Sequence, residues 1–331
     1  MQGRVSVVVT SHDYGQFVAA AVDSALAQTH PDVEVVVVDD GSTDGSRELL
    51  RGYGERIVLV EQANAGQAVA CTVGFRRSTG AAVLFLDADD LLEPQALEVA
   101  MAALQPGDAK VQFRLEVVDE AGRSTGRTHP SRREPTFTRD VSAELANRGR
   151  YPSAMTSGNL YPRPVLERVL PIPVDAYRDI ADGYLNAAVA FCGRVRFLDD
   201  VLGSYRLHPS NRWSVAHLDA DRLRRGIAHD RNVHELVRGL AVAAGHRPRP
   251  DLGCRDEYHL RQRLGSLRLD PQRHPLAGDR RGRLVRAGVR AALAGSQHRA
   301  ARWRNAAWFV LVGVGPRPVV ERLVPRAIGA R

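Results

Sequence analysis

The 331-residue chain has 44% apolar and 25% charged residues, which excludes a disordered segment and describes a soluble globular protein long enough for a core of ordinary size plus a second region. Cys71, Cys192 and Cys254 are scattered without Cys-x-x-Cys spacing, so neither a disulfide framework nor a zinc site is expected and a reducing compartment fits. The net charge of +8 is uneven, −9 over residues 1–105, +2 over 106–211 and +15 over 212–331, and nearly all of the basicity is arginine, Lys110 being the only lysine; charge of this kind is not by itself a reason to expect nucleic acid.

The N-terminus, Met1-Gln2-Gly3-Arg4, leaves no room for a charged n-region, an apolar h-region and a cleavage site, so secretion is not expected and a cytoplasmic location is. Arg4 to Thr10 is Val-rich and predicts a buried strand leading into the polar loop Ser11-His12-Asp13. A helix follows, because Phe17, Val18, Ala21, Val22, Ala25 and Leu26 recur at three- and four-residue spacing. Val33–Val38 predicts a second strand closing on Asp39-Asp40-Gly41-Ser42. The alternation continues with a helix through Leu49-Leu50, a strand at Ile57–Val60, a helix from about Gly66 to Arg77 and a strand at Ala82–Leu86. Such alternation implies right-handed crossovers and a largely parallel sheet, with ligands bound beyond the carboxyl ends of the strands.

That rule gathers three loops on one edge. Thr10, His12 and Tyr14 follow the first strand and offer polar groups and a ring on which a base can stack. Asp39 and Asp40 follow the second and can accept bonds from a base N–H or ribose hydroxyls, although Gly41, Ser42 and Asp44 also suit a turn and a helix cap. Asp87, Asp89 and Asp90 follow the fourth. Carboxylates this close raise one another's pKa unless a cation lies between them, and Mg2+ or Mn2+ held by one or two carboxylates plus a substrate diphosphate would resolve the conflict. Alternatively, Asp89 or Asp90 caps the helix that Pro94 helps start. The shared edge assigns Asp87 and Asp89 to donor and metal and leaves Asp90 mainly to the cap. No Gly-x-Gly-x-x-Gly follows the first strand and no Gly-Lys-Ser/Thr loop occurs, which counts against dehydrogenases and P-loop NTPases.

Val-Val-Thr-Ser-His-Asp-Tyr (8–14), Val-Val-Val-Asp-Asp-Gly-Ser-Thr-Asp (36–44), Asn64-Ala65-Gly66 with Gly74, and Leu86-Asp87-Ala88-Asp89-Asp90 resemble, in order, the signatures of family 2 glycosyltransferases. The resemblance covers residues 4–105 and extends more loosely to about 211. It implies a GT-A fold, an α/β architecture with a Rossmann-like, mostly parallel sheet flanked by helices, here followed by a C-terminal helical extension. The implied activity is transfer of a sugar, with inversion, from a nucleotide-diphosphate donor, a UDP-sugar first among them, to an acceptor hydroxyl. Glycan, glycolipid or cell-envelope polysaccharide synthesis, with a glycan or lipid-linked acceptor, is the implied setting. Mn2+ or Mg2+ would sit on Asp87 and Asp89, and Thr10, His12, Tyr14, Asp39, Asp40, Gly66 and Asp87 would bind the nucleotide sugar. Where the family often carries Ala-Arg-Asn, this chain reads Ala70-Cys71-Thr72, a departure that bears on donor choice. The expected division is a catalytic domain over 1–211, with a nucleotide-sugar half (1–105) and an acceptor half (106–211), and a basic helical region over 212–331.

Farther along, Val111, Phe113, Leu115 and Val117 alternate as in a strand, and Asp119-Glu120-Ala121-Gly122 turns into a second one. Residues 122–150, polar and Arg-rich with Pro130 and Pro135, read as a mobile loop that either covers the site or has no function. Ser157, Gly158 and Asn159 are expected to shape the acceptor pocket. Inverting transfer needs a base for the acceptor hydroxyl; counting back from Gly193, the resemblance puts Asp182 there, with Asp179 the second candidate and helix capping the alternative for both. Ala181 and Tyr184 stand where the family commonly has acids. With Cys71 they motivate a rival reading, a nucleotide-sugar-binding module of the same fold impaired in turnover. Tyr205-Arg206-Leu207-His208-Pro209-Ser210-Asn211 resembles the close of the same domain, His208 completing metal coordination or bonding the diphosphate.

Residues 214–331 read as helical. Trp303, Ala307, Val310, Leu311 and Val314 share a face, and the apolar run Ala306–Gly315 is shorter than the ~20 residues that span a bilayer. Flanking Arg299, Arg302, Arg304, Arg317 and Arg322 suit anionic headgroups. Peripheral membrane contact is therefore one expectation, and packing against the catalytic domain or a second subunit is the other. Nucleic acid is not an expected partner, and the oligomeric state is left open.

Overall fold

The computed structural model describes residues 3–209, 211, 220–295 and 299–328. The expectations placed on Ser210, 214–219, 296–298 and 329–331 lie outside the described residues. Two compact units are present, Met1–Val141 with Pro152–Leu207, and Ser142–Tyr151 with His208–Arg331.

The first unit starts with β1 (Val5–Ser11), α1 (Val18–Leu26), β2 (Val33–Asp40), α2 (Ser46–Arg51), β3 (Val58–Gln62), α3 (Gln67–Arg77) and β4 (Ala82–Asp87). β1 pairs in parallel with β2 on one side and β4 on the other, and β3 extends β2. The chain thus steps outward from β1 to β3 and returns across β1 to β4, which creates a topological switch point between β1 and β4. Valine runs suit these strands because a parallel sheet is covered on both faces. Val5, Val7 and Val9 with Val35, Val37, Leu84 and Leu86 pack with Val18, Ala21, Val22 and Ala25 of α1. Toward α3, a Cβ at Gly74 would stand 2.2 Å from Val8 Cγ1, so this motif glycine lets the helix approach the sheet.

The chain continues with β5 (Leu91–Leu92), α4 (Ala96–Ala103), β6 (Asp108–Val118), β7 (Ser124–His129), β8 (Phe137–Arg139), α5 (Ser142–Arg148), β9 (Asn159–Pro162), α6 (Arg163–Val169), α7 (Val174–Tyr177), α8 (Ala181–Val189) and β10 (Arg194–Arg206). The sheet runs β3-β2-β1-β4-β9-β6-β10-β5, with β7 on β6 and β8 on β10. β9 is antiparallel to both β4 and β6, whereas β6 and β10 are parallel. A parallel, Rossmann-like half is thereby joined to a mixed half.

Two expectations are corrected here. Residues 122–150 are not a mobile loop but contain β7, β8 and α5. The anchor is Arg114, whose guanidinium donates to the carbonyls of Pro130, Ser131 and Glu134 at 3.0, 2.7 and 2.8 Å, while Phe137 meets Phe197 edge-on at 5.7 Å. Both partners lie outside the segment, so its polar composition gave no sign of them. Asp90 is not a helix cap either: α4 begins at Ala96 with Gln95 before it, and Leu91–Leu92 pairs with Gly203 and Ser204 of β10.

In the second unit α5 is joined by α9 (Ala220–Ala243), α10 (Glu257–Leu269), α11 (Arg281–Leu293), α12 (Arg299–Val314) and α13 (Arg317–Ile328). Their core includes Leu223, Leu260, Leu264, Leu284, Phe309, Val312, Val320 and Val324. Asp256 caps α10, accepting from the N–H groups of Tyr258 and His259 at 3.0 and 3.1 Å. Among the described residues no helix is long and apolar enough to cross a membrane.

Candidate active site

The loops after β1 and β2 are tied together. Asp13, at φ 57°, donates its N–H to Ser42 Oγ at 3.0 Å and accepts from the Thr43 N–H at 2.6 Å; Asp44 accepts from the Gly15 N–H at 2.8 Å. Thr10 lies in register with Asp87, which brings the loop after β4 alongside. Tyr14 is half-buried, its ring 6.3 Å from that of Phe17, and His12 Nε2 is 2.8 Å from Asn64 Nδ2.

The adjacent acids Asp39 and Asp40 are in different situations. Asp40 accepts from Gln62 Nε2 and from the N–H groups of Ala65 and Gly66, at 2.7, 2.8 and 2.7 Å, so it pins the β3–α3 loop. Gly66 in that loop has φ +92°, and a Cβ there would stand 2.6 Å from the Arg178 carbonyl oxygen, so only glycine fits. Asp39 is fully buried. Its Oδ2 accepts from Arg47 Nε at 2.7 Å and the Ser42 N–H at 3.2 Å, while Oδ1 is buried with no hydrogen-bond partner among the described residues.

Beyond β4 the acids form a buried cluster. Burial, then Asp89 and Asp182, push the Asp87 carboxyl up to about 7, against hydrogen bonds from Thr156 and Gln67. Burial with Asp89 and Asp87 raises Asp90 well above the usual carboxylate range. Asp90 accepts from Ser157 Oγ at 2.6 Å and from the Arg206 N–H at 3.0 Å. Arg206 Nε donates to the Asp89 carbonyl at 3.0 Å, and burial together with Asp90, Asp89, Asp87 and Asp182 pushes the Tyr205 phenol up. The Tyr205-Arg206 pair, read in the sequence only as a closing signature, therefore wraps the acid loop.

Asp182 and Asp179 separate clearly. Asp182 lies in the first turn of α8, the end of a helix that attracts negative charge, and its charge acts on Asp87, Cys71, Lys110 and Tyr205. Asp179 is exposed, with Arg178 Nε at 3.9 Å. Between Asp87 and α8 stands Gln67, which the sequence did not single out: its Nε2 donates to Asp87 Oδ1 at 2.8 Å and its Oε1 accepts from the Ala181 N–H at 3.0 Å. Only its place at the start of α3, one turn before Cys71, pointed toward the site.

Ser157, Gly158 and Asn159, expected to shape an acceptor pocket, are interior residues. Ser157 Oγ links Asp90 to the Asp87 N–H, from which it accepts at 3.1 Å. Asn159 Oδ1 accepts from the buried Lys110 ammonium at 2.7 Å, as Asn186 of α8 does at 2.5 Å. Their polar atoms support the acid cluster and α8 from beneath. His208 is the residue at which the second unit resumes, and its N–H donates to Asn211 Oδ1 at 2.5 Å.

A crowd of buried carboxylates suits a hard divalent cation, which would relieve the repulsion that raises Asp87 and Asp90. Among the described residues no group of three or more Asp, Glu, His or Cys side chains is arranged to hold a metal ion.

A family model described as Glycosyl transferase family 2 matches residues 6–169. An uncharacterised glycosyltransferase of Nostoc sp. is 33% identical over 264 residues, covering 77% of this chain and 81% of its own length. TuaG of Bacillus subtilis, a putative teichuronic acid biosynthesis glycosyltransferase, is 41% identical over 98 residues, 28% of this chain and 39% of that protein. Among solved structures, S. aureus TarS in complex with UDP-GlcNAc has a TM-score of 0.53 at 15% identity, covering 99% of this chain and 92% of that one. The mannosyltransferase PcManGT from Pyrobaculum calidifontis, in complex with GDP-Man and Mn2+, has a TM-score of 0.52 at 19% identity, covering 99% and 87%. At these identities the two likenesses are of fold.

Proposed function

The chain belongs to glycosyl transferase family 2 and has the GT-A architecture, and we propose that it is an inverting, metal-dependent transferase moving a sugar from a nucleotide diphosphate to an acceptor hydroxyl. The observation that carries the reading is the acid cluster at the switch point, with the charge of Asp182 acting on Asp87 and Gln67 bridging Asp87 to the head of α8. On the donor side, the unpartnered Oδ1 of Asp39 is an acceptor for a base N–H or ribose hydroxyl, and Tyr14 supplies a ring for stacking. Asp87 and Asp89 would hold Mn2+ or Mg2+, the remaining ligands coming from the donor diphosphate and water. The cation supplies neutralisation of the charge that develops on the departing diphosphate.

Asp182 takes the proton of the acceptor hydroxyl as that oxygen attacks the anomeric carbon from the face opposite the diphosphate, and a single displacement of this kind inverts the centre. Asp179 is the weaker candidate because it is exposed beside Arg178. A UDP-sugar is the favoured donor, supported by the UDP-GlcNAc bound to TarS, with the GDP-Man of PcManGT as the alternative. TuaG, named for teichuronic acid biosynthesis, supports a glycan or lipid-linked acceptor in cell-envelope polysaccharide synthesis.

The test is release of nucleoside diphosphate from UDP-sugars by the purified chain with Mn2+. Turnover is expected, and Asp89→Ala should lower it by roughly 100- to 1,000-fold, the usual scale for removing one element of charge stabilisation. The rival, a binding module without turnover, is motivated by the buried Cys71 and by Tyr184, whose hydroxyl is occupied with the Val169 carbonyl at 2.6 Å. Tight nucleotide binding with no release across donors and acceptors would establish that rival instead.

A further inference from the structure

A helix at a protein surface normally shows water a polar face. α12 does not. Its inner side, with Ala306, Phe309 and Val312, belongs to the core of the second unit. Its outer side is also apolar from Trp303 through Ala307, Val310 and Leu311 to Val314, with Trp303 64%, Val310 43%, Leu311 50% and Val314 75% exposed. The outer residues follow a helical face with no interruption, and arginines stand at both ends: Arg299 and Arg304 are exposed at the start, and Arg317 and Arg322 are exposed on α13 beyond the turn. From residue 299 to 328 there are six arginines against one acidic residue, Glu321.

We propose that this outer face of α12 docks on an anionic lipid bilayer, with the helix lying in the plane of the interface. The span from Trp303 to Val314 is about 16 Å at 1.5 Å per residue, roughly half a hydrocarbon core, so the geometry suits lying on the membrane and not crossing it. Tryptophan favours the headgroup level, and arginines at the margins find lipid phosphates there. A second copy of the chain is a poor fit by charge. A two-fold contact through one patch sets the same surface against itself, so the basic rim of one protomer would meet the basic rim of its partner. The inference is independent of the proposed sugar chemistry.

The test uses the full chain and sedimentation with vesicles of phosphatidylglycerol and phosphatidylcholine, against phosphatidylcholine alone. Binding is expected to the anionic vesicles, weakened by salt, and reduced about tenfold by Leu311→Glu and again by Val314→Glu with an unchanged melting temperature, since both side chains lie outside the core. The emission difference between the wild-type chain and Trp303→Phe should shift to the blue on anionic vesicles. Any of the following would overturn the proposal: no preference for anionic vesicles; binding indifferent to both glutamates; or a concentration-dependent dimer in sedimentation velocity that the glutamates dissolve, which would make the face a contact between copies. A Trp303 signal already blue and shielded from acrylamide without lipid would equally overturn it, because the face would then be covered by the chain itself.

Discussion

Gln67 has no charge and no reactive atom, yet its amide touches both the acid that ends β4 and the backbone at the head of α8. An amide can do this because it donates from nitrogen and accepts at oxygen, and the two partners fix which end points where. A carboxylate at position 67 would repel Asp87, and an apolar residue would leave both Asp87 Oδ1 and the Ala181 N–H short of a partner. If Asp182 is the base, losing this brace shifts it relative to the donor by a fraction of an ångström, which in an oriented reaction is costly. Gln67→Met is therefore expected to lower kcat for sugar transfer or donor hydrolysis by about 10- to 100-fold, with a smaller change in KM for the donor. A rise in KM alone, with kcat intact, would show Gln67 to be merely a donor contact. Reading single residues from sequence reaches chemistry that is written locally: Asp87 and Asp89 stand out as carboxylates at the end of an apolar strand. It failed where a role is created by two distant segments meeting, as for Gln67, for Arg206 on the Asp89 carbonyl, and for Lys110 between Asn159 and Asn186.

The parallel half of the sheet was legible because each strand begins as a short apolar run and each following helix has its own apolar spacing, so β1 to β4 need no knowledge of anything else. The segment 122–150 was not, because what orders it, Arg114 and Phe197, is supplied from β6 and β10. The second unit shows the same dependence at its α9–α10 junction. Arg150, beyond α5, donates to Asp230 of α9 at 2.8 Å and to Asp256 before α10 at 3.1 Å. His234 Nε2 meets Asp256 at 3.2 Å, and His259 Nδ1 meets Asp230 at 3.3 Å. Burial alone would push the Asp256 carboxyl up; the Arg150 guanidinium and the imidazoles of His234 and His259 overcome it and hold the group well below the usual carboxylate range. Asp230 is lowered in the same way, chiefly by Arg150 once burial is overcome. A carboxyl whose folded pKa is depressed stabilises the fold above its unfolded value of about 3.9, and that contribution is lost as pH falls through the folded value. Acid unfolding of the helical unit is thus expected below about pH 4. Asp256→Asn should cost about 2–4 kcal/mol in urea unfolding at pH 7, less than a fully enclosed pair because Arg150 keeps some water contact, and should flatten the acid limb. An unaltered acid limb in that variant would mean that other carboxylates govern it.

Across the whole molecule the two units have opposite charge problems. The helical unit carries an excess of arginine and offers it outward, whereas the sheet unit concentrates acid inside, at the edge where a diphosphate is proposed to bind. Asp87 makes the second problem measurable. Its folded pKa is raised to about 7, so in the absence of a cation its contribution to stability is present below the unfolded value of about 3.9 and is lost as pH rises through about 7. A divalent ion needs the ionised form, and the proton and the ion therefore compete for one group. Mn2+ with UDP is expected to raise the melting temperature by about 5–10 °C at pH 7.5 when the ligand is near 100 times its Kd, and by clearly less at pH 5.5. Asp87→Asn should abolish both the Mn2+-dependent rise and its pH dependence, whereas Asp256→Asn, in the other unit, should keep them. The comparison is decisive because the two substitutions neutralise acids whose pKa values are shifted in opposite directions, one raised by burial and neighbouring acids and the other lowered by Arg150 and two imidazoles; an equal Mn2+ response in Asp87→Asn and wild type would remove Asp87 from the metal site.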